Sequence, residues 1–196
     1  MRLSRIQVLA VGVAALSVVA ASACASNSSG SGGETAAGST PGAETGGGEA
    51  PVVTYVDSRF HYRIDAPGQM TSNADGTASV VGPSERLAIA VVLGARASDP
   101  ATLAKEDAAA LPGSRTSFRL VSGPAAMTLN GKKVSKFVYS YNAGSSPVTG
   151  KPLDLVGVRY YIPKDSSTVA VLDYAIVTGQ YDTEGADDLA RTFQWQ

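Results

Sequence analysis

With a single histidine and a single cysteine, the chain has few residues able to do chemistry. A zinc centre needs several His or Cys ligands. A Gly-x-Ser-x-Gly elbow, a Ser-x-x-Lys motif and a phosphate-binding loop are all missing from the sequence. His61 is the sole candidate imidazole base, and strand alternation sets it beside Arg63 and Asp65 on a solvated edge. Asp182, Glu184, Asp187 and Asp188 have the residue types of a calcium cluster. Acids in a first helical turn are also favoured by capping and the helix dipole, and that is the reading adopted. Lys132, Lys133 and Lys136, interleaved with Phe137, Tyr139 and Tyr141, have the types of a single-strand nucleic-acid platform. Without net positive charge, a solvated hairpin end is expected instead, and no nucleic acid as partner. What remains is recognition. Tyr139, Tyr141 and Tyr161 are the candidate binding residues, since tyrosine joins a broad apolar body to a polar tip. The competing reading makes them ordinary core packing under a helix. No catalytic residue, metal ligand or cofactor is expected.

The cysteine has a special position. Arg2 and Arg5 form a basic start, an apolar run follows from Ile6 to Ala20, and Ala21-Ser22-Ala23 leads directly into Cys24. This is the order of a secretory leader rather than of a fold element. It resembles a bacterial lipoprotein signal, which implies cleavage before Cys24, acylation of its thiol and anchoring to the cell membrane on the extracytoplasmic face. A thiol is a nucleophile readily lipidated, and small neighbours let a peptidase approach. An uncleaved membrane anchor, which needs about 20 apolar residues, and an ordinary Ala-x-Ala cleavage are the alternatives.

Residues 25–50 contain no aromatic residue and no Val, Ile or Leu, and their only charges are Glu34, Glu44 and Glu49. Such a segment buries too little apolar surface to offset its ordering entropy. As a Gly/Ser coil it would hold a domain about 25–30 Å from its anchor. The organisation expected is therefore a signal over 1–23, a lipidated cysteine and tether over 24–50, and one domain over 51–196. That domain carries 14 Lys+Arg and 14 Asp+Glu, and it has no cysteine with which to form a disulfide.

The candidate residues need elements to position them. Pro51–Val56, Phe60–Asp65, Ala78–Val81 and Arg86–Leu93 read as strands, the last apolar on both faces and hence central. Ser98 or Asp99 caps a helix with Pro100 at its first position; Leu103, Ala104, Asp107, Ala108 and Leu111 follow before Pro112-Gly113. Thr116–Val121, Ala125–Leu129 and Lys133–Tyr141 are strands, the last two joined by the hairpin signal Asn130-Gly131. A Gly/Ser-rich loop spans Asn142–Pro152. Leu155–Ile162 and Thr168–Val177 form another hairpin. Asp182 or Thr183 starts a closing helix with Ala186, Leu189, Ala190 and Phe193 on one stripe. The fold class expected is α+β, a mostly antiparallel sheet flanked by helices.

Asp173 interrupts Val169, Val171, Ala175 and Val177 on an apolar face. A five-residue loop pairing Ile162 with Thr168 sets Gly157 opposite Asp173 and Arg159 one diagonal step away. An Arg159–Asp173 ion pair is predicted, because a lone buried carboxylate is costly.

Phe60-x-Tyr62-x-Ile64-x-x-Pro67, Leu129-Asn130-Gly131, Val158-Arg159-Tyr160-Tyr161, Ala170-Val171-Leu172-Asp173-Tyr174 and the closing helix into Phe193 together resemble the PsbP-like superfamily, in its LpqN-type lipoprotein branch. The resemblance spans nearly all of 55–196, and its motifs are structural. It implies an α/β/α sandwich and a binding or assembly role without catalytic residues. The function expected is a membrane-tethered, non-catalytic binding or scaffold module of the cell envelope, with an unknown envelope protein as partner. The alternative is a carrier or receptor for a small or lipidic ligand. The loop 142–152 and the three tyrosines are its expected contact surface.

Overall fold

Local signals start and stop most elements where chemistry requires. The computed structural model describes residues 51–146 and 149–196. Tyr62, Ile64 and Ala66 alternate with more accessible neighbours along β2 (Tyr62–Pro67), which pairs antiparallel with β1 (Val52–Asp57). Asp57 ends β1 by accepting the amides of Arg59 and Phe60 at 2.9 and 2.8 Å. His61 sits in the turn at φ 57, exposed, one residue before the strand resumes. A short β3 (Thr71–Ser72), β4 (Ala78–Val81) and β5 (Glu85–Leu93) follow.

Asp99 is the cap of α1 (Pro100–Ala110): its carboxylate accepts the amides of Ala101 and Thr102 at 3.0 and 3.2 Å. Pro100 loses nothing at the first position, where its missing N–H has no intrahelical partner. A 3-10 turn over Leu111–Gly113 ends the helix. Next come β6 (Thr116–Leu129), β7 (Lys132–Ser145), β8 (Pro152–Asp165) and β9 (Thr168–Val177). Asp182 caps α2 (Thr183–Thr192), accepting from Glu184 and Gly185, and β10 (Gln194–Trp195) closes the chain.

Seven strands form one antiparallel sheet in the order β3-β4-β5-β9-β8-β7-β6, and β1-β2-β10 form a second, small one. On one face of the large sheet, Leu87, Ile89, Val158, Tyr160 and Leu172 share a core with Tyr62 and Ile64 of the small sheet and with Ala186 and Ala190 of α2. On the other face Phe137, Tyr139, Tyr161 and Val169 pack with Leu103 and Ala104 of α1. The fold is α+β and mostly antiparallel, as expected.

Three local expectations are corrected. The two strands read over 116–121 and 125–129 are one strand, carried past Gly123-Pro124 by register shifts that leave extra residues unpaired. The loop read over 142–152 is shorter, because β7 runs to Ser145 and β8 starts at Pro152, with Ser145 paired to Pro152. The turn between β8 and β9 is only Ser166-Ser167; Asp165 accepts the Ser167 amide at 2.8 Å and so tightens it.

Candidate functional site

The strongest concentration of charge and hydroxyl groups lies under α1. Tyr139 on β7, Arg159 on β8 and Asp173 on β9 all point to that face. Arg159 pairs directly opposite Asp173, two residues from the predicted register, because the shorter turn moves Ile162 opposite Ala170. The ion pair itself is as predicted: Arg159 Nη2 donates to Asp173 Oδ2 at 2.5 Å. Arg115, just before β6, adds a second bond to the same oxygen at 3.0 Å. Tyr139 Oη donates to Asp173 Oδ1 at 2.5 Å. From above, Asp107 of α1 receives Arg159 Nη1 at 3.2 Å and Tyr161 Oη at 2.7 Å.

Gly157 makes this geometry possible. The Tyr139 ring crosses over it to reach Asp173, and a Cβ at Gly157 would lie 2.4 Å from Tyr139 Cζ. No side chain fits there. Arg115 then covers the outer tyrosine, its guanidinium carbon 4.3 Å from the Tyr141 ring centroid. Phe118 stacks on Tyr139 at 5.6 Å. Ser117, at φ 54 beside a register shift, lies between the two covering residues.

Electrostatics follow from this enclosure. Burial alone would raise the Asp173 carboxyl, but Arg159 and Arg115 outweigh it and hold the group below the usual carboxylate range. Burial and the adjacent Asp173 push the Tyr139 hydroxyl well above its ordinary value. Burial opposes the charge on Arg159, yet Asp173 holds it firmly protonated. Arg159 Nε is buried without a hydrogen-bond partner among the described residues.

The structure brings Tyr139, Tyr141 and Tyr161 together, but inside. They are 0%, 6% and 0% exposed. The outward placement expected for them is corrected: the inner face of these strands is covered by α1, Arg115 and Phe118. Asp107 and Arg115 are the members that sequence reasoning missed. The signal for Asp107 was an acid one turn after Leu103, on the stripe that α1 buries. Arg115 lies in a turn and carries no comparable pattern. His61 lies apart from this network. Among the described residues no group of three or more His, Cys, Asp or Glu is placed to hold a metal ion. Asp182 caps α2, Asp187 binds Lys136 at 2.7 Å, and Asp188 pairs with Arg191.

Two shallow clefts of about 220 and 180 Å³ lie elsewhere, one beside Asp57 to Phe60 and one beside Arg96 and Asp99. Neither is lined by the three tyrosines. Cys24 lies outside the described residues.

No family model matches the chain, and no curated protein does. Among solved structures, a crystal structure from Bacteroides thetaiotaomicron VPI-5482 is similar at a TM-score of 0.47 and 7% identity, over 73% of this chain and 48% of that one. This chain thus spans about half the length of that neighbour. The Ran-binding protein Mog1p of Saccharomyces cerevisiae is similar at 0.46 and 9%, over 74% and 96%. LpqN, involved in cell envelope biogenesis of Mycobacterium tuberculosis, is similar at 0.34 and 17%, over 75% and 83%. All three are too distant in sequence and shape to carry a functional argument.

Proposed function

We propose that this chain is a lipoprotein held on the extracytoplasmic face of the cell membrane through acylated Cys24. Its domain over 51–196 is a PsbP-like, non-catalytic binding or scaffold module of the envelope. The observation that carries the anchor is positional: the chain's one cysteine directly follows Ala21-Ser22-Ala23 at the end of a basic-then-apolar leader. Support for binding rather than catalysis comes from the network under α1. Asp107 and Asp173 are engaged by Arg115, Arg159, Tyr139 and Tyr161. A general base needs a free carboxylate within reach of substrate, and these are taken up by neighbours. In this reading Tyr139, Tyr141 and Tyr161 support the contact surface from beneath, fixing β7 and β8, which end and begin at Ser145 and Pro152.

Cys24→Ser tests the anchor. Labelled fatty acid should no longer be incorporated, and the protein should accumulate as precursor or be released from membranes. Normal maturation with retention after carbonate washing would defeat the lipoprotein reading.

A further inference from the structure

Resting on the reading of the domain as a binding module, we propose that the free edge of β6 docks an extended, acidic segment of a partner protein by strand addition. Between Asp107 and Asp154 the chain has six cations, Arg115, Arg119, Lys132, Lys133, Lys136 and Lys151, and no carboxylate. Arg115 and Lys136 are neutralised by Asp173 and Asp187. Among the described residues, Arg119, Lys133 and Lys151 have no carboxylate partner, and Lys132 reaches only the Pro163 carbonyl at 3.5 Å. The large sheet therefore ends on a positively charged margin.

That margin is also an open ladder. β6 is the terminal strand and runs 14 residues, whereas β3 at the opposite end has two. An edge strand leaves a row of backbone donors and acceptors unpaired. Much of β6 is unsuited to pairing, since register shifts interrupt Thr116–Ala125 and Pro124 has no N–H. Ala125–Leu129 is regular, each residue opposite one of Lys132–Lys136. Counting from the closing pair Leu129–Lys132, antiparallel alternation turns the N–H and C=O of Ala126 and Thr128 to the open side. Further along, Leu120 and Val121 are exposed at 42% and 57%, giving an apolar foothold on the same strand.

These features select the occupant. A second copy paired on β6 would bring one uncompensated cationic margin beside another with no carboxylate to offset it, and like charges repel. Charged edges commonly prevent such self-pairing. An extended peptide with alternating carboxylates satisfies the ladder and the charge together, the backbone giving affinity and the cations choosing the partner.

The test uses the full chain and a labelled synthetic peptide of about ten residues alternating Val and Glu, followed by fluorescence anisotropy. Binding should weaken with salt, and the Lys-for-Glu peptide should bind at least about tenfold more weakly. Arg119→Glu combined with Lys133→Glu should cost about tenfold. Thr128→Pro, which removes one outward donor at an edge where proline is tolerated, should cost a similar factor. No binding of the Val-Glu peptide, or equal binding of the Lys peptide, overturns the proposal. Unchanged affinity in Thr128→Pro, with poly-glutamate bound equally well, would reduce the edge to a general polyanion surface and also overturn it. Self-association of the parent chain through β6, seen by sedimentation and lost in Thr128→Pro, would do the same. Membrane pull-downs separate the two levels: partner capture retained by Thr128→Pro would sink the edge but leave the binding-module reading, whereas no capture by the parent chain would sink that reading itself.

Discussion

Adjacent residues on β8 face two differently built halves of the molecule. Tyr160 turns to the α2 side and donates to Asp187 at 2.6 Å; Tyr161 turns to the α1 side and donates to Asp107 at 2.7 Å. In each case a helical carboxylate also receives a cation from the sheet, Lys136 on one side and Arg159 on the other. Beyond that the halves diverge. The α2 side sets a single ion pair at the border of a wide apolar core that includes Tyr62, Phe193 and Leu172. The α1 side brings a second carboxylate, Asp173, from within the sheet, together with Arg115, and threads four charges through its packing. The α2 half therefore depends mainly on non-directional burial. The α1 half depends on every member of a network being present, since an unpaired buried charge is far costlier than a paired one.

The largest effect should come from breaking the network at its centre. Asp173→Ala leaves Arg115 without a carboxylate partner and Arg159 with Asp107 alone, and should cost about 3–5 kcal/mol. Asp187→Ala, on the α2 side, strands one lysine near the border and should cost about 1–3 kcal/mol. Denaturant unfolding measures both, and equal costs would erase the distinction between the halves.

Acid should sharpen the comparison. The Asp173 carboxyl is lowered because Arg159 and Arg115 outweigh its burial. A folded-state value below the unfolded one means that its stabilisation is complete above the unfolded value of about 3.9, and is lost as pH falls through the folded value. The stability gap between the parent chain and Asp173→Asn should therefore narrow as pH drops below about 4. A gap that stays constant from neutrality to pH 2 would show that folding does not lower the Asp173 carboxyl, and would overturn this account of the network.

The smallest expected effect concerns the rim. Tyr141 stacks on Tyr139 at 5.7 Å and lies beneath Arg115, but no hydrogen bond to its hydroxyl is found among the described residues. Tyr141→Phe should change stability by less than about 0.5 kcal/mol. Tyr161→Phe, which strips one donor from Asp107, should cost about 1 kcal/mol. If the two are indistinguishable by thermal melting, the hydroxyl network contributes less than its geometry implies.

Much of the fold was legible because its causes are local. Asp99-Pro100 and Asp182 start helices by capping amides within three residues, and Asn130-Gly131 turns a hairpin because both residues accept positive φ, 49 and 75. The Arg159–Asp173 pair was legible as well, since a carboxylate on a run of valines needs a counter-charge from a neighbouring strand. What only the tertiary structure decided is where faces are covered and by what. Period-two alternation separates the sides of a strand, but it cannot say that both sides of β7, β8 and β9 are buried. Hence the sequence left the burial of Tyr139 and Tyr161 as one of two readings, and the departure of β1 and β2 to a separate sheet with β10 was not there to be read. The register of β8 on β9 was set by the turn, whose length depends on Asp165 gripping Ser167 rather than on the apolar pattern. Asp107 and Arg115 joined the network because α1 and the start of β6 come to lie over β8 and β9. Contacts between segments more than 40 residues apart leave no period in the chain, and here they govern the charge at its centre.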